Sequence, residues 1–313
     1  MRFNNNLAAA ITGTAIVSAL VITLPQKAQA LTGKEISEIA RNITVLIKGK
    51  NDSHGSGFII SKNGDTYYVL TANHVVADED TYVIMTHDQE YHPLDNSKVR
   101  HLSGSDLAVI EFTSDRTYQT AKLADSKTAK QGSEVFVSGW PRLTAVGKQS
   151  GSDLIRQFTD GQISGFLSQP LEGYAMSYTN TTLGGMSGGP VLDTGGRVVG
   201  VHGLGDTEDS DRLLNQGYGQ EAASLASLVK TGFNYAIPIN TFLDLAAQQR
   251  IYMNLAVETT AATPLGAAYV ASGKPDPRDR VAEADVLNNI NNTFNTINNG
   301  VNTIRRVCGL LGC

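Results

Sequence analysis

Ser187 stands in GGMSGGPVLD, residues 184 to 193, with two glycines on its near N-terminal side and two directly after it. A serine so poorly screened is either part of a tight turn in a β-rich core or a group that another molecule approaches closely. A free serine hydroxyl is scarcely ionised at neutral pH, so a nucleophilic role needs a base beside it. His74, one of six histidines, stands in TANHVV, directly after an apolar run where a side chain is held rigidly. A base in turn needs an acceptor on its other ring nitrogen. Asp106, in GSDLAVIEF, lies at the polar entrance to another apolar run. Each residue alone has an ordinary explanation: a half-exposed loop histidine, a turn serine, a solvated or capping aspartate. Together they run His, Asp, Ser, with gaps of 32 (106 − 74) and 81 (187 − 106), and each sits in a distinctive local frame. The chemistry open to such a set is nucleophilic attack by an activated serine oxygen.

The elements that must position these residues are short strands. From about Val45 to Val201 the chain shows brief alternating or apolar runs separated by turn residues. GSGFIIS, then Asn63-Gly64 as a hairpin signal, then TYYVLTA is the clearest case. TYVIMT, DLAVIEF, EVFVSGW, YAMSYT, GPVLD, RVVGVHG and FNYAI continue the series. Strands at this spacing predict a barrel or sandwich rather than βαβ units. Short helices fit GKEISEIARNI before the first strand and PINTFLDLAAQQR after the last. Residues 203–231 read as a polar, acidic insertion, and 263–280 as a linker. In the tail, 281–313, Ile290, Phe294, Ile297, Val301, Ile304 and Cys308 recur at steps of 4, 3, 4, 3 and 4 among Asn and Thr. That stripe predicts one amphipathic helix lying on the domain, with self-association through the tail as the alternative.

The chain has 313 residues and a net charge of −5, without a Lys/Arg-rich block, which argues against a nucleic-acid partner. Residues 1–30 read as a signal peptide: an apolar run from Leu7 to Leu24, then the small-x-small site Ala28-Gln29-Ala30. The alternative is an uncleaved anchor, since 18 apolar residues approach spanning length, and a membrane contact follows only in that case. Either way the rest of the chain is exported, to be secreted or periplasmic. Cys308 and Cys313, the only cysteines, lie in the last six residues, so the body folds without a disulfide; they could close a small loop or bridge two chains. No metal or cofactor is implied, because no His/Cys/Asp cluster has ligand spacing and no Gly-rich phosphate loop follows a strand.

TANHVV, SDLAVI and GGMSGGPV resemble the three active-site motifs of chymotrypsin-fold (trypsin-like) serine proteases, and GSGFII, VFVSGWP and FNYAIPI resemble stretches of the compact bacterial members. Subtilisin-like and α/β-hydrolase arrangements fail on the order of the three residues. The resemblance implies an all-β fold of two six-stranded antiparallel β-barrels with short flanking helices and a helical tail, the protease domain spanning 31–262. It implies that Ser187 attacks the scissile carbonyl, His74 takes its proton, and Asp106 orients the imidazole. The backbone N–H groups of Gly185 and Ser187 would form the oxyanion hole, each such donor worth about 3 kcal/mol. Two departures stand out. Met186 replaces the Asp that digestive members carry before the nucleophile, so activation through that ion pair is not expected. The 51 residues after position 262 (313 − 262) leave no room for the PDZ domain of the heat-shock branch.

For specificity, Thr181, six positions before Ser187, replaces the Asp associated with cleavage after Lys or Arg. Thr182 and His202 match positions that bind the substrate carboxylate in glutamyl endopeptidases, which implies a P1 glutamate; a small or apolar P1 is the alternative. An imidazole and a hydroxyl can both donate to a carboxylate. The partners implied are protein or peptide substrates. A relative that keeps the scaffold as a catalytically silent binding or assembly module is the alternative from another class.

Overall fold

Thr32 opens the first helix with a reciprocal cap. Its hydroxyl accepts from the Glu35 N–H at 3.3 Å, and the Glu35 carboxylate accepts from the Thr32 N–H at 2.8 Å. Helix α1 (Gly33–Ile43) buries Ile36, Ala40 and Ile43, the i, i+4, i+7 stripe of a helix with one covered face. The β-branched pair Thr44-Val45 then turns the chain into extended structure, and α1 runs directly into strand β1 (Thr44–Gly49). The computed structural model describes residues 30–51, 53–142, 153–207, 230–265 and 277–296.

The first sheet adds β2 (His54–Asn63), β3 (Thr66–Ala72), β4 (Tyr82–Met85), β5 (Tyr91–Pro93), β6 (Arg100–Leu102) and β7 (Leu107–Thr113). Their order is β5-β4-β1-β2-β3-β7-β6, antiparallel throughout. β2 and β3 close around Gly64, whose φ of +59° is what the Asn-Gly signal requires. Six strands were expected here; the sheet has seven and curls without a ladder between β5 and β6 among the described residues. The added strand β5 is three residues long and ends in Pro93, composition suited to an edge.

The second sheet contains β8 (Lys122–Ala124), β9 (Glu134–Gly139), β11 (Gln157–Leu171), β12 (Tyr174–Tyr178), β13 (Pro190–Leu192), β14 (Val198–Thr207), β15 (Lys230–Pro238) and β16 (Ala256–Glu258), while β10 (Asp153–Ile155) lies apart from it. Its order is β13-β9-β11-β12-β15-β14-β8-β16, and a further β13–β14 ladder closes the first six strands into a barrel. The 203–231 insertion is thus strand at both ends, through Thr207 and from Lys230; 208–229 lie outside the described residues. Helix α2 (Ile239–Gln248) follows β15 and buries Ile239, Phe242 and Ala246.

Val45, Ile47, Ile59, Val69 and Ile110 fill the inside of the curled first sheet, and Val135, Val137, Ile163, Met176 and Val191 the closed barrel of the second. A third cluster joins the two, with Phe58, Leu70 and Leu107 against Phe136, Tyr174 and Val201. The C-terminal segment covers the remaining face of β1. Strand β17 (Arg280–Ala282) pairs with β10, and helix α3 (283–296) buries Val286 and Ile290 against Leu46, Val83, Met85, Trp140 and Leu154. Val45 and Ile47 therefore face one core and Leu46 another, which is why β1 reads as a continuous apolar run. Asp279 accepts from Arg156 at 2.6 Å and from Arg41 at 2.8 Å, pairing two otherwise buried guanidiniums. The predicted tail helix lies on the body over 283–296; Ile297, Val301, Ile304, Cys308 and Cys313 fall outside the described residues, as do signal-peptide positions 1–29 and linker positions 266–276.

Candidate active site

The β3–β7 register brings His74 and Asp106 together. Ala72 lies opposite Leu107, so the 3₁₀ turn after β3 (Asn73–Val75) meets the residue that precedes β7. Asn73 N–H donates to the Asp106 carbonyl at 3.1 Å, and the His74 N–H donates to Asp106 Oδ1 at 2.8 Å. The imidazole then meets the same carboxylate, Nδ1 to Oδ2, at 2.6 Å. Asp106 is buried, whereas the His74 side chain is 47% exposed. A base facing solvent is thus held by a buried acceptor.

Sequence reasoning missed the third partner. Tyr174, the first residue of β12 in the second sheet, donates its hydroxyl to Asp106 Oδ2 at 2.6 Å. Burial alone would push the Asp106 carboxyl up, but hydrogen bonds from His74 and Tyr174 outweigh it and hold the group below the usual carboxylate value. Burial and then the neighbouring carboxylate push the Tyr174 phenol up, so it remains a donor at working pH. The space for this ring comes from Gly203, where a Cβ would lie 1.8 Å from the Tyr174 hydroxyl oxygen. Because the native Asp106 carboxyl sits below its unfolded value, its stabilisation is complete above the unfolded value and is lost as pH falls through the native one. Tyr174→Phe should cost about 1.5–3 kcal/mol of stability, the worth of a hydrogen bond to a charged group. It should lower kcat roughly tenfold with KM unchanged; thermal unfolding and steady-state kinetics check both.

Ser187 lies on the opposite side of the junction, in the turn before β13. Its hydroxyl donates to the Gly203 carbonyl at 3.1 Å; no hydrogen bond to His74 forms among the described residues. Gly185 has φ +98°, and a Cβ there would sit 2.6 Å from both His54 Cδ2 and the Trp140 carbonyl oxygen. The position therefore requires glycine on both conformational and steric grounds. The hydrogen bonds among the described residues use the carbonyls of Gly185 and Ser187, not their N–H groups.

Thr182 and His202 are buried in one polar patch, and Thr181 is exposed beside it. The Thr182 hydroxyl donates to Asn234 Oδ1, and Asn234 Nδ2 donates to the Asn180 carbonyl at 2.6 Å. Asn234 lies opposite Tyr178 on β12, and the Tyr178 hydroxyl meets His202 Nδ1 at 2.5 Å. Burial raises the Tyr178 phenol well above its ordinary value, so the hydroxyl stays protonated. Neither Tyr178 nor Asn234 carries a sequence signal; YAMSYT and FNYAI read simply as strands.

A closed six-stranded barrel beside a curled sheet, with a His–Asp pair at the curled sheet and a serine in the glycine turn before β13, is the arrangement of the two-barrel chymotrypsin fold. Residues 55–201 match the family profile described as "Trypsin-like peptidase domain". Similar proteins include "Serine protease Do-like HtrA" of Bacillus subtilis (strain 168), 29% identical over 163 residues, covering 50% of this chain and 34% of the relative. "Probable periplasmic serine endoprotease DegP-like" of Pseudomonas fulva (strain 12-X) is 31% identical over 199 residues, covering 63% and 34% respectively. The chain spans about a third of the length of these curated relatives. These similarities agree with the resemblance to chymotrypsin-fold serine proteases carried by the motifs.

Proposed function

We propose that the chain is an exported serine endopeptidase working through His74, Asp106 and Ser187 by way of an acyl-enzyme. The observation that carries this reading is the buried Asp106 carboxylate holding Nδ1 of a half-exposed His74 at 2.6 Å. Nδ1–H donation to Asp106 leaves Nε2 as the proton acceptor a serine needs. The step requires the Ser187 hydroxyl to leave the Gly203 carbonyl for that nitrogen; its oxygen attacks the scissile carbonyl as His74 takes the proton. The N–H groups of Gly185 and Ser187 then receive the developing oxyanion. His74 returns the proton to the leaving amine, and water repeats the sequence on the ester. Relatives named as periplasmic endoproteases support the exported location and the protein substrates. The catalytically silent alternative is favoured by one observation, the Ser187 hydroxyl resting on Gly203. Hydrolysis of casein by the wild type decides between the two: its presence supports the endopeptidase, and its absence supports the scaffold.

The P1 pocket is formed by Thr182 and His202, with Thr181 at its exposed rim, and it favours glutamate. The imidazole of His202, held at Nδ1 by the Tyr178 hydroxyl, is the group that would meet the side-chain carboxylate. His202→Ala should lower kcat/KM for glutamyl peptides about a hundredfold and for apolar P1 peptides only a fewfold, consistent with a charge-assisted bond worth about 1.5–3 kcal/mol. A P1 profile on a mixed peptide library checks this. Equal losses on both substrates would make His202 a packing residue.

A further inference from the structure

One buried residue holds both halves of the turn around the nucleophile. Ser56 lies on β2 in the first sheet and is 0% exposed. Its backbone N–H donates to the Ser187 carbonyl at 2.8 Å. Its hydroxyl donates to the Gly185 carbonyl at 2.8 Å and accepts from the Trp140 N–H at 2.9 Å. The Ser56 carbonyl is itself fixed by the Thr71 hydroxyl at 2.7 Å. Gly185 and Ser187 are the two residues whose N–H groups face the reacting oxygen in the proposed mechanism. Each peptide plane is rigid, so the direction of each N–H follows from the planes on either side of it. Gly185, at φ +98°, lacks the steric limits that would otherwise restrain its flanking planes.

We infer that Ser56 is a positioning residue for the oxyanion hole, acting by anchoring the carbonyls of Gly185 and Ser187 from the opposite sheet. The inference rests on the endopeptidase reading. Trp140 is the fixed point on which the hydroxyl turns. Its N–H orients the Ser56 oxygen as donor to Gly185, and its own carbonyl meets His54 Nε2 at 2.6 Å. Behind it, Val286 and Ile290 of α3 belong to the same buried cluster as the indole. Without the Ser56 hydroxyl the Gly185 carbonyl loses this donor, and the plane between Gly185 and Met186 is held less firmly than its neighbours, where Arg142 N–H still meets the Gly184 carbonyl at 3.0 Å and Gly189 N–H the Met186 carbonyl at 2.9 Å. A misdirected oxyanion donor harms the transition state while leaving ground-state binding in place.

The test compares Ser56→Ala with Ser138→Ala and wild type. Ser138 is an equally buried serine that accepts from the Thr44 hydroxyl at 3.0 Å and from Arg156 at 2.8 Å, so its loss probes stability without touching the turn. The peptide is the one the wild type cleaves best, and the inhibitor is a peptidyl boronic acid of the same sequence. Ser56→Ala should lower kcat about ten- to a hundredfold with KM within about twofold of wild type. Boronate affinity should fall by a similar factor while product-peptide affinity holds. Ser138→Ala should lower the unfolding temperature at least as much as Ser56→Ala and keep its kcat. A kcat for Ser56→Ala within about twofold of wild type, or a loss confined to KM, overturns the positioning role alone. A wild type that neither hydrolyses the peptide nor binds the boronate overturns the endopeptidase reading and this inference with it.

Discussion

Ser187→Ala should lower kcat on the order of a million-fold. At about 1.36 kcal/mol per decade, that is a rise of about 8 kcal/mol in the barrier. The loss is large because, in the proposed mechanism, no other group forms the ester: His74 and Asp106 would move a proton without supplying the attacking oxygen. The residual rate should stay well above that of uncatalysed hydrolysis, since Gly185 and the backbone of residue 187 would still present their N–H groups to the carbonyl. Folding should be barely affected. The hydroxyl makes one bond, to the Gly203 carbonyl, worth about 1 kcal/mol. Casein turnover and thermal unfolding measured side by side check both halves. Equal hydrolysis by the two proteins would remove Ser187 from the chemistry.

Asp106→Asn should cost about ten-thousand-fold in kcat with little change in KM. An amide fills the same volume, yet it presents an N–H₂ group as well as an oxygen. The Tyr174 hydroxyl and the His74 N–H both donate to this side chain, as does His74 Nδ1. All three need acceptors, and the amide oxygen cannot serve all of them. If the amide nitrogen faces His74, the imidazole must accept at Nδ1 and carry its proton on Nε2, where it cannot deprotonate Ser187. Activity should return partly at high pH, where hydroxide replaces the lost base, and the kcat profile against pH reads that recovery. A variant within tenfold of wild type at neutral pH would show that Asp106 does not set the tautomer.

What the residues disclosed and what they withheld follow from the range of the interactions. TANHVV, SDLAVI and GGMSGGPV are local frames, so His74, Asp106 and Ser187 could be picked out one by one. The hairpin over β2 and β3 was equally readable, because Asn63-Gly64 specifies its own turn. By contrast, β11 passed unnoticed: QFTDGQISGFLSQPL has no clean alternation, and much of it is exposed. The three-residue strands β5, β6, β8, β10, β16 and β17 are too short for any period to emerge, and β13, equally short, showed only as the apolar GPVLD. Tyr174 and Ser56 are the instructive misses. Tyr174 reaches Asp106 across 68 positions, and Ser56 reaches Gly185 across 129, so neither contact has a local signature. The tail stripe announced an amphipathic helix, but only the packing of Val286 and Ile290 against Leu46 and Trp140 reveals which surface it covers.

Intact-mass measurement after treatment with a fluorophosphonate probes the activated serine directly, without a chosen substrate. A single adduct should form, peptide mapping should place it on Ser187, and it should vanish in Ser187→Ala and His74→Ala. An unmodified wild type, or an adduct that persists at full yield in Ser187→Ala, would contradict the catalytic role of the triad.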